Sequence, residues 1–358
     1  MSLALEPPKF DYLSHGAPKS QPLDLHMDLP RTDHDTPFNI TRCSHVVLTV
    51  KDLDASRLFY TEVIGLVVTE QAGDTLYLRG VEEACHHSFV LRRSSDAPTC
   101  ERIGMRVRRE RDLDPLKAFF DNNGCPTAWA EVPHQGRTLR VTDISGVPLE
   151  FCASMTVVPR PLTQFHLHKG GCAHRIDHYQ ILVPDVRKAC AFYMSAGFWL
   201  TEYLSPGDSG ELTGVFLARK GNPHDIVFFK EAGPRLHHAA FTAPETYHIM
   251  RACDVAGALG FGTIVERGPG RHGPGHALYV YLRDPDGHRV ELFNTHYQAM
   301  DLEVEPVRWD PANANPWGLP AQKKWFVEAT PFAATSLTEP STRPNPMTLE
   351  RYLAGHDG

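Results

Sequence analysis

No CxxC pair occurs in the chain: its eight cysteines (Cys43, Cys85, Cys100, Cys125, Cys152, Cys172, Cys190 and Cys253) stand singly. Over 358 residues that pattern excludes a stapled secreted scaffold and points to reduced thiols in a cytosol. Long apolar runs are missing too. No stretch approaches the ~20 residues that a membrane helix needs, and no signal-peptide core opens the sequence, so a cytoplasmic protein is expected. Positive charge is in deficit, with a formal net charge of -7, which argues against nucleic acid or an anionic membrane as partner. The glycine-rich segment "GPGRHGPG" (268–275) lacks the strand and helix of a phosphate loop and is read as a loop at a pocket rim. What is present is ordinary globular composition, 42% hydrophobic and 22% charged, at a length that accommodates two domains.

The chain also repeats itself. "RCSHVVLTVKDLDASRLFYTEVIGL" from Arg42 and "RIDHYQILVPDVRKACAFYMSAGF" from Arg175 each read as a β-branched strand, an Asp-containing turn and a helix ending in Phe-Tyr and a glycine. His45 and His178 are 133 residues apart, as are Arg102 and Arg235. Further on, "VTDISGVPLEF" from Val141 echoes "LRDPDGHRVELF" from Leu282, which sets Glu150 against Glu291. Three correspondences in order imply an α+β fold of duplicated modules, each curling a sheet around a cleft. The expected division is an N-terminal arm (1–39), a first module (40–156), a linker (157–173), a second module (174–298) and a C-terminal extension (299–358). Trp309, Trp317 and Trp325 imply that the extension is ordered and packs on the second module.

"DPDG" (284–287) is a turn with a mechanism. Pro285 presets φ, Asp286 tolerates the next position, and Gly287 can take the left-handed conformation. A three-residue loop with a glycine bulge sets Asp284 against His288, Arg283 against Arg289 and Tyr281 against Glu291. Tyr281 and Glu291 then aim at one face, which raises the question of why a carboxylate belongs in an apolar strand. In the first strand His178 and Gln180 share a face, and alternation lets only one of His237 and His238 join them. Two imidazoles and one carboxylate on three strands form a facial metal set, whose charge compensates the desolvation of Glu291. The first module keeps His45 and Glu150, but Met105 falls at the place of His238, so it is expected to hold no metal. "CHH" (85–87) and "HLHKGG" (166–171) contain metal-binding residue types, but are read as a structural strand and a solvated loop.

At this point the residues resemble a known family. The duplicated βαβββ module is similar to the vicinal oxygen chelate superfamily, and the chain resembles the type I extradiol ring-cleaving dioxygenases. Nearest is their homoprotocatechuate (3,4-dihydroxyphenylacetate) 2,3-dioxygenase branch. The likeness runs from about Arg42 to Thr330, densest in "NPHDIVFF", "GPRLHHAAF", "IVERGPGRHGPGHALYVYLRDPDGHRVELF" and "WFVEA". It implies His178, His238 and Glu291 as ligands of Fe(II), or of Mn(II) as in some relatives. It also implies His224 as the acid/base histidine, Tyr281 bonded to a substrate oxygen, His272 supporting it, and Arg267 in the pocket. Gln180 stands where the branch commonly has Asn, and Phe216 where it has Trp. The extension reads "WDPANANPWG" (309–318), without the arginine pair that anchors a substrate carboxylate in this branch, so a neutral catechol becomes a candidate beside a 3,4-dihydroxyphenylacetate-like one. The implied partners are a catechol and O2, the implied assembly a homo-oligomer, a tetramer. A glyoxalase-like isomerase, or a binding protein without metal, would be the rival on the same fold.

Overall fold

The computed structural model describes residues 19–20, 32–207, 209–311 and 314–355, so most of the expected arm lies outside the described residues. Two sheets carry the chain. In the first, the strand Ile40–Val50 lies between Phe89–Arg93 and Cys100–Val107, and Pro148–Cys152, Thr138–Thr142 and Thr127–Ala130 continue the sheet in that order. In the second, Ile176–Val183 lies between Ile226–Lys230 and Arg235–Thr242, followed by Arg289–Asn294, Leu278–Arg283 and Val265–Arg271. The strand order is the same in both. Each sheet is itself two strand–helix–three-strand units side by side, so the repeat goes one level deeper than the sequence correspondences indicate.

Local chemistry starts and stops the helices. Asp52 accepts the amides of Asp54 and Ala55 at 3.0 Å, and Asp185 accepts that of Lys188 at 2.9 Å, each satisfying donors a helix cannot pair itself. The first helix, Leu53–Leu58, runs on as a π-turn through Phe59–Ile64 and ends at Gly65 with φ 84°. A side chain on Gly65 would collide with the backbone of Lys169 and Cys172, so the stop needs glycine on two counts. Among the described residues no helix is long and apolar enough to cross a membrane.

The strand Ile176–Val183 is buried along its whole length, as expected of a central strand covered on both faces. Its Tyr179 reaches back into the first sheet, where the hydroxyl donates to the carbonyls of His45 and Gly104 at 2.7 and 2.9 Å. Two further bonds cross the junction reciprocally. Tyr60 of the first half donates to Asp284 in the turn of the second, at 3.0 Å. Tyr193 of the second half donates to Asp143 in the turn of the first, at 2.8 Å. Burial raises the Asp143 carboxyl to about 6, so the tyrosine bond matters most where the acid is ionised.

The extension adds the strand Val307–Trp309 to the edge of the second sheet and pairs Thr330 with Leu236. Trp309 and Trp325 are buried as expected, but Trp317 is 51% exposed. The reason is local: its carbonyl, not its indole, is what the sheet uses, accepting the amide of Arg271 at 3.1 Å.

Candidate metal centre

The "DPDG" hairpin takes the bulged register. The amide of Asp284 donates to His288 at 2.9 Å, Gly287 sits at φ 89°, and Tyr281 pairs directly with Glu291. Glu291 also neighbours Ala240 on the parallel strand Arg235–Thr242, whose other neighbour there is His178. Three adjacent strands therefore deliver His178, His238 and Glu291 to one point, all three at most 3% exposed. The Nε2 atoms of His178 and His238 lie 3.2 and 3.0 Å from the same Glu291 oxygen.

Two β-bulges decide what stands behind these ligands. Pairing slips by one residue between Ile176 and His178, and again opposite the step from Gln180 to Ile181, leaving Asp177 and His237 as the extra residues. A bulge breaks the strict alternation of faces and re-aims a side chain. Asp177 consequently lies beside His178, with Oδ2 3.1 Å from Nδ1, and His237 beside His238, with their Nδ1 atoms 2.7 Å apart. Of the two histidines, only one of which was expected to turn inward, His238 faces the centre, and the bulge leaves His237 behind it. The Nε2–H of His237 must donate to the Trp325 carbonyl, 2.7 Å away. That leaves Nδ1 of His237 as an acceptor for His238 Nδ1–H, and frees Nε2 of His238 as a lone pair. Asp177 does the same for His178 when a cation occupies the centre, a carboxylate–histidine arrangement typical of metal ligands.

The electrostatics ask for positive charge at this point. Burial opposes ionisation of Glu291, but the hydrogen bond to His178 and the proximity of the His238 imidazole outweigh it and hold the acid well below the usual range. Burial likewise opposes a charged His178, yet Asp177 and Glu291 together raise its pKa. His238 Nε2, although near Glu291, has no aligned hydrogen-bond partner. Two imidazole lone pairs and a carboxylate that converge in a buried place are an acceptor set that a divalent ion satisfies.

The remaining expected residues surround the same cavity. His224 stacks edge-on 4.4 Å from His178 and 5.2 Å from Phe216, which walls it from solvent. Burial and the two neighbouring histidines push its pKa well down, so it is a neutral imidazole, and its Nδ1 has no partner. On the opposite flank Tyr281 lies 5.2 Å from His238. Asn315 Oδ1 accepts Arg267 Nη2–H at 3.0 Å, which fixes it as the acceptor for His272 Nδ1–H, also at 3.0 Å. His272 Nε2 therefore accepts the Tyr281 hydroxyl at 2.9 Å, and the phenol oxygen keeps its lone pairs for a ligand. Burial drives the His272 pKa to about 3, so it stays neutral. Arg267 lies 4.2 Å over the Trp325 ring. Gln180 lines the cavity with its amide nitrogen unpartnered.

Four further residues belong here, three that the sequence reading did not single out and His237, which it weighed only as an alternative to His238. Asp177 and His237 are hidden by the bulges, and Asn315 by the irregular extension. His296 lines the cavity, 4.7 Å from His224, because Thr295 takes a left-handed φ of 62° that no residue pattern announces. Behind the cavity Glu202 is 1% exposed and accepts the Gly275 amide at 2.9 Å and the Trp309 indole at 3.2 Å. It thereby ties the pocket loop to the extension. Burial raises its carboxyl from 4.5 to about 8. An acid with a raised folded pKa keeps its proton after the unfolded chain has lost it, so this group costs stability as pH climbs from 4.5 to 8, then no more. Glu202→Gln is expected to flatten that slope: its melting temperature should gain on wild type across this window, and a constant difference would contradict the assignment.

The corresponding cup of the first sheet is filled differently. Gly104 neighbours both His45 and Glu150, as Ala240 neighbours His178 and Glu291. Counting from there, Arg102 and not Met105 occupies the place of His238, and Arg140, paired with Glu150, that of Tyr281. The expected Met105 alignment is three residues out of step, because the two sequences differ in length between the strands; Met105 is in the core. Arg140 lies 2.9 Å and Arg102 3.8 Å from Glu150, while His45 lies 3.0 Å away. Guanidinium charge thus stands beside this acid, where the second sheet places an imidazole and a phenol beside Glu291.

"CHH" lies in a loop and not a strand, and His86 forms a cluster with Glu70 and His134. Those two rings stack 3.6 Å apart and within 3° of parallel. Both Nε2 atoms lie near one Glu70 oxygen, 3.0 and 3.2 Å away, but the Glu70 side chain is 42% exposed, so solvent compensates its charge as it does not for Glu291.

Comparison with known proteins agrees with this architecture. The sequence profile of the Glyoxalase/Bleomycin resistance protein/Dioxygenase superfamily matches residues 42–151 and 175–292. The manganese-dependent 2,3-dihydroxybiphenyl 1,2-dioxygenase of Geobacillus genomosp. 3 is 28% identical over 75% of this chain and 90% of its own. The metapyrocatechase of Geobacillus stearothermophilus is 24% identical over 85% and 97%. The solved complex of homoprotocatechuate 2,3-dioxygenase from Brevibacterium fuscum with 3,4-dihydroxyphenylacetate superposes with TM-score 0.81 at 34% identity, over 87% of this chain and 99% of that one. Two matched modules of the same strand order, carried through most of the length of such relatives, show that the chain belongs to the glyoxalase/bleomycin resistance protein/dioxygenase superfamily and, within it, to the extradiol dioxygenases.

Proposed function

We propose that His178, His238 and Glu291 of the second module (174–298) hold Fe(II), with Mn(II) as the alternative, and that the chain opens a substituted catechol next to its diol. Both atoms of O2 would enter a yellow muconic semialdehyde. The observation that carries this reading is the convergence of three buried acceptor atoms beside a neutral His224 and a Tyr281 whose proton is already committed. A divalent ion there supplies the redox link between diol and O2 that no side chain provides.

The chain's own residues supply the rest. A catechol hydroxyl would donate to the Tyr281 oxygen while Tyr281 donates to His272, so the pair holds the hydroxyl that keeps its proton and leaves the other diol oxygen to carry the anion. The buried Arg267, 5.8 Å from the Tyr281 ring, adds positive charge toward that anion. His224, on the other flank, is the neutral group that takes up and returns a proton. Gln180 offers an unpaired N–H, and Phe216 keeps water from His224. All donors belong to one module, which favours this reading over a glyoxalase-like site assembled from two. A cytoplasmic homotetramer, with the first module (40–156) as a metal-free partner domain and 299–358 as cover, completes the reading; eight unpaired thiols support the reducing compartment, and sedimentation tests the assembly.

The test is to strip the protein with a chelator, reload it anaerobically with Fe(II) or Mn(II), and admit O2 with a panel of catechols. One ion per chain and a yellow ring-opened product are expected. Stoichiometric metal without product from any catechol would sink the proposal.

A further inference from the structure

Beside the metal cavity, of about 170 Å³, lies a larger one of about 570 Å³. Leu204, Phe229, Pro311, Phe326, Pro346 and Met347 line both, so a single layer of side chains separates them. All six are apolar. Residues 343–351, beyond the reach of the family likeness, close the larger cavity's outer side. Met347 is the adaptable part of the partition, since an unbranched thioether with three rotatable bonds repacks readily.

The cations around the larger cavity are each ion-paired, hydrogen-bonded or exposed. Lys230 lies 2.7 Å from Glu211, Arg343 2.9 Å from Glu231, and Arg351 donates to the carbonyls of Asn345 and Pro346 at 3.1 and 2.8 Å. Lys323 is exposed at the rim. Within the metal cavity the Arg267 guanidinium already engages Asn315 and Trp325. A carboxylate entering the larger cavity would lose its water without gaining an unpaired buried cation. An alkyl or aryl group would instead exchange water for six apolar walls.

We infer that the larger cavity is the subsite for the ring substituent, and that the preferred substrate is a catechol bearing an uncharged alkyl or aryl group larger than methyl. The inference rests on the ring-cleavage reading above, because the diol must sit at the metal for the substituent to meet the partition.

Metal-loaded full-length enzyme tests it with catechol, 3-phenylcatechol, 4-phenylcatechol and 3,4-dihydroxyphenylacetate, by turnover and by anaerobic binding. One phenylcatechol is expected to exceed both catechol and 3,4-dihydroxyphenylacetate in kcat/KM by about tenfold or more, the scale on which apolar pockets discriminate. Pro344→Trp and Val327→Phe fill the larger cavity from positions that do not line the smaller one. Each should lower kcat/KM and weaken binding for the phenylcatechol by about tenfold, with catechol changed less than about twofold. Preference for 3,4-dihydroxyphenylacetate, or equal losses on catechol and phenylcatechol in both variants, overturns the inference. Failure of the ring-cleavage reading is distinguishable: no catechol then turns over, and the anaerobic binding comparison still decides the subsite.

Discussion

Glu291→Gln is expected to release most of the metal and to lower ring opening by about 10³-fold or more, the equivalent of several kcal/mol of lost charge stabilisation. Glutamine keeps the shape, so the fold should survive with unchanged circular dichroism. What disappears is the negative charge at the meeting point of two imidazole lone pairs, 3.2 and 3.0 Å away. Among the described residues the carboxylate is the one anion in direct contact with both, while Asp177 touches His178 from behind. Metal content by elemental analysis and product formation by absorbance read the two losses separately. A variant that keeps one ion per chain and full activity would remove Glu291 from the centre.

His224→Asn is the second large effect, a fall in kcat of about 10² to 10⁴, the usual value of one positioned acid/base. Metal content and anaerobic catechol binding should stay near wild type, since His224 meets His178 edge to face and is no part of the convergent set. Asparagine remains polar in a buried place, but has no basic nitrogen to take a proton and give it back. Loss of metal in this variant would mean that His224 is a ligand. An unchanged kcat would mean that the proton moves elsewhere, and His296, 4.7 Å away, would be the next group to replace.

Much of the site was legible wherever one residue type forces one conformation. "DPDG" specifies its own loop, and from that loop the two-residue period places Tyr281 opposite Glu291 without further information. The same holds for the strand that sets His178 and Gln180 on one face, and for the Asp-containing turns, which became helix caps. Legibility stopped where a single inserted residue breaks the period. The bulges at Asp177 and His237 hide the two side chains that orient the ligands. Met105 was set where Arg102 belongs because the first module is three residues shorter than the second between the two paired strands, a difference that no single-residue pattern reveals. His296 depends on one left-handed residue, and Asn315 on an extension without period. In each case the missing information is a local backbone departure, or a difference in length, that side-chain pattern does not encode.

The crossed tyrosine–aspartate bonds carry a consequence of another kind. Tyr60 meets the turn of the second half as Tyr193 meets the turn of the first, which is the reciprocity a two-fold axis imposes on identical surfaces. The junction inside this single chain has the form of an isologous dimer interface. The half whose own cup holds arginine thereby supplies the hydroxyl that ties down the hairpin turn of the other, so the candidate centre is braced from across the junction.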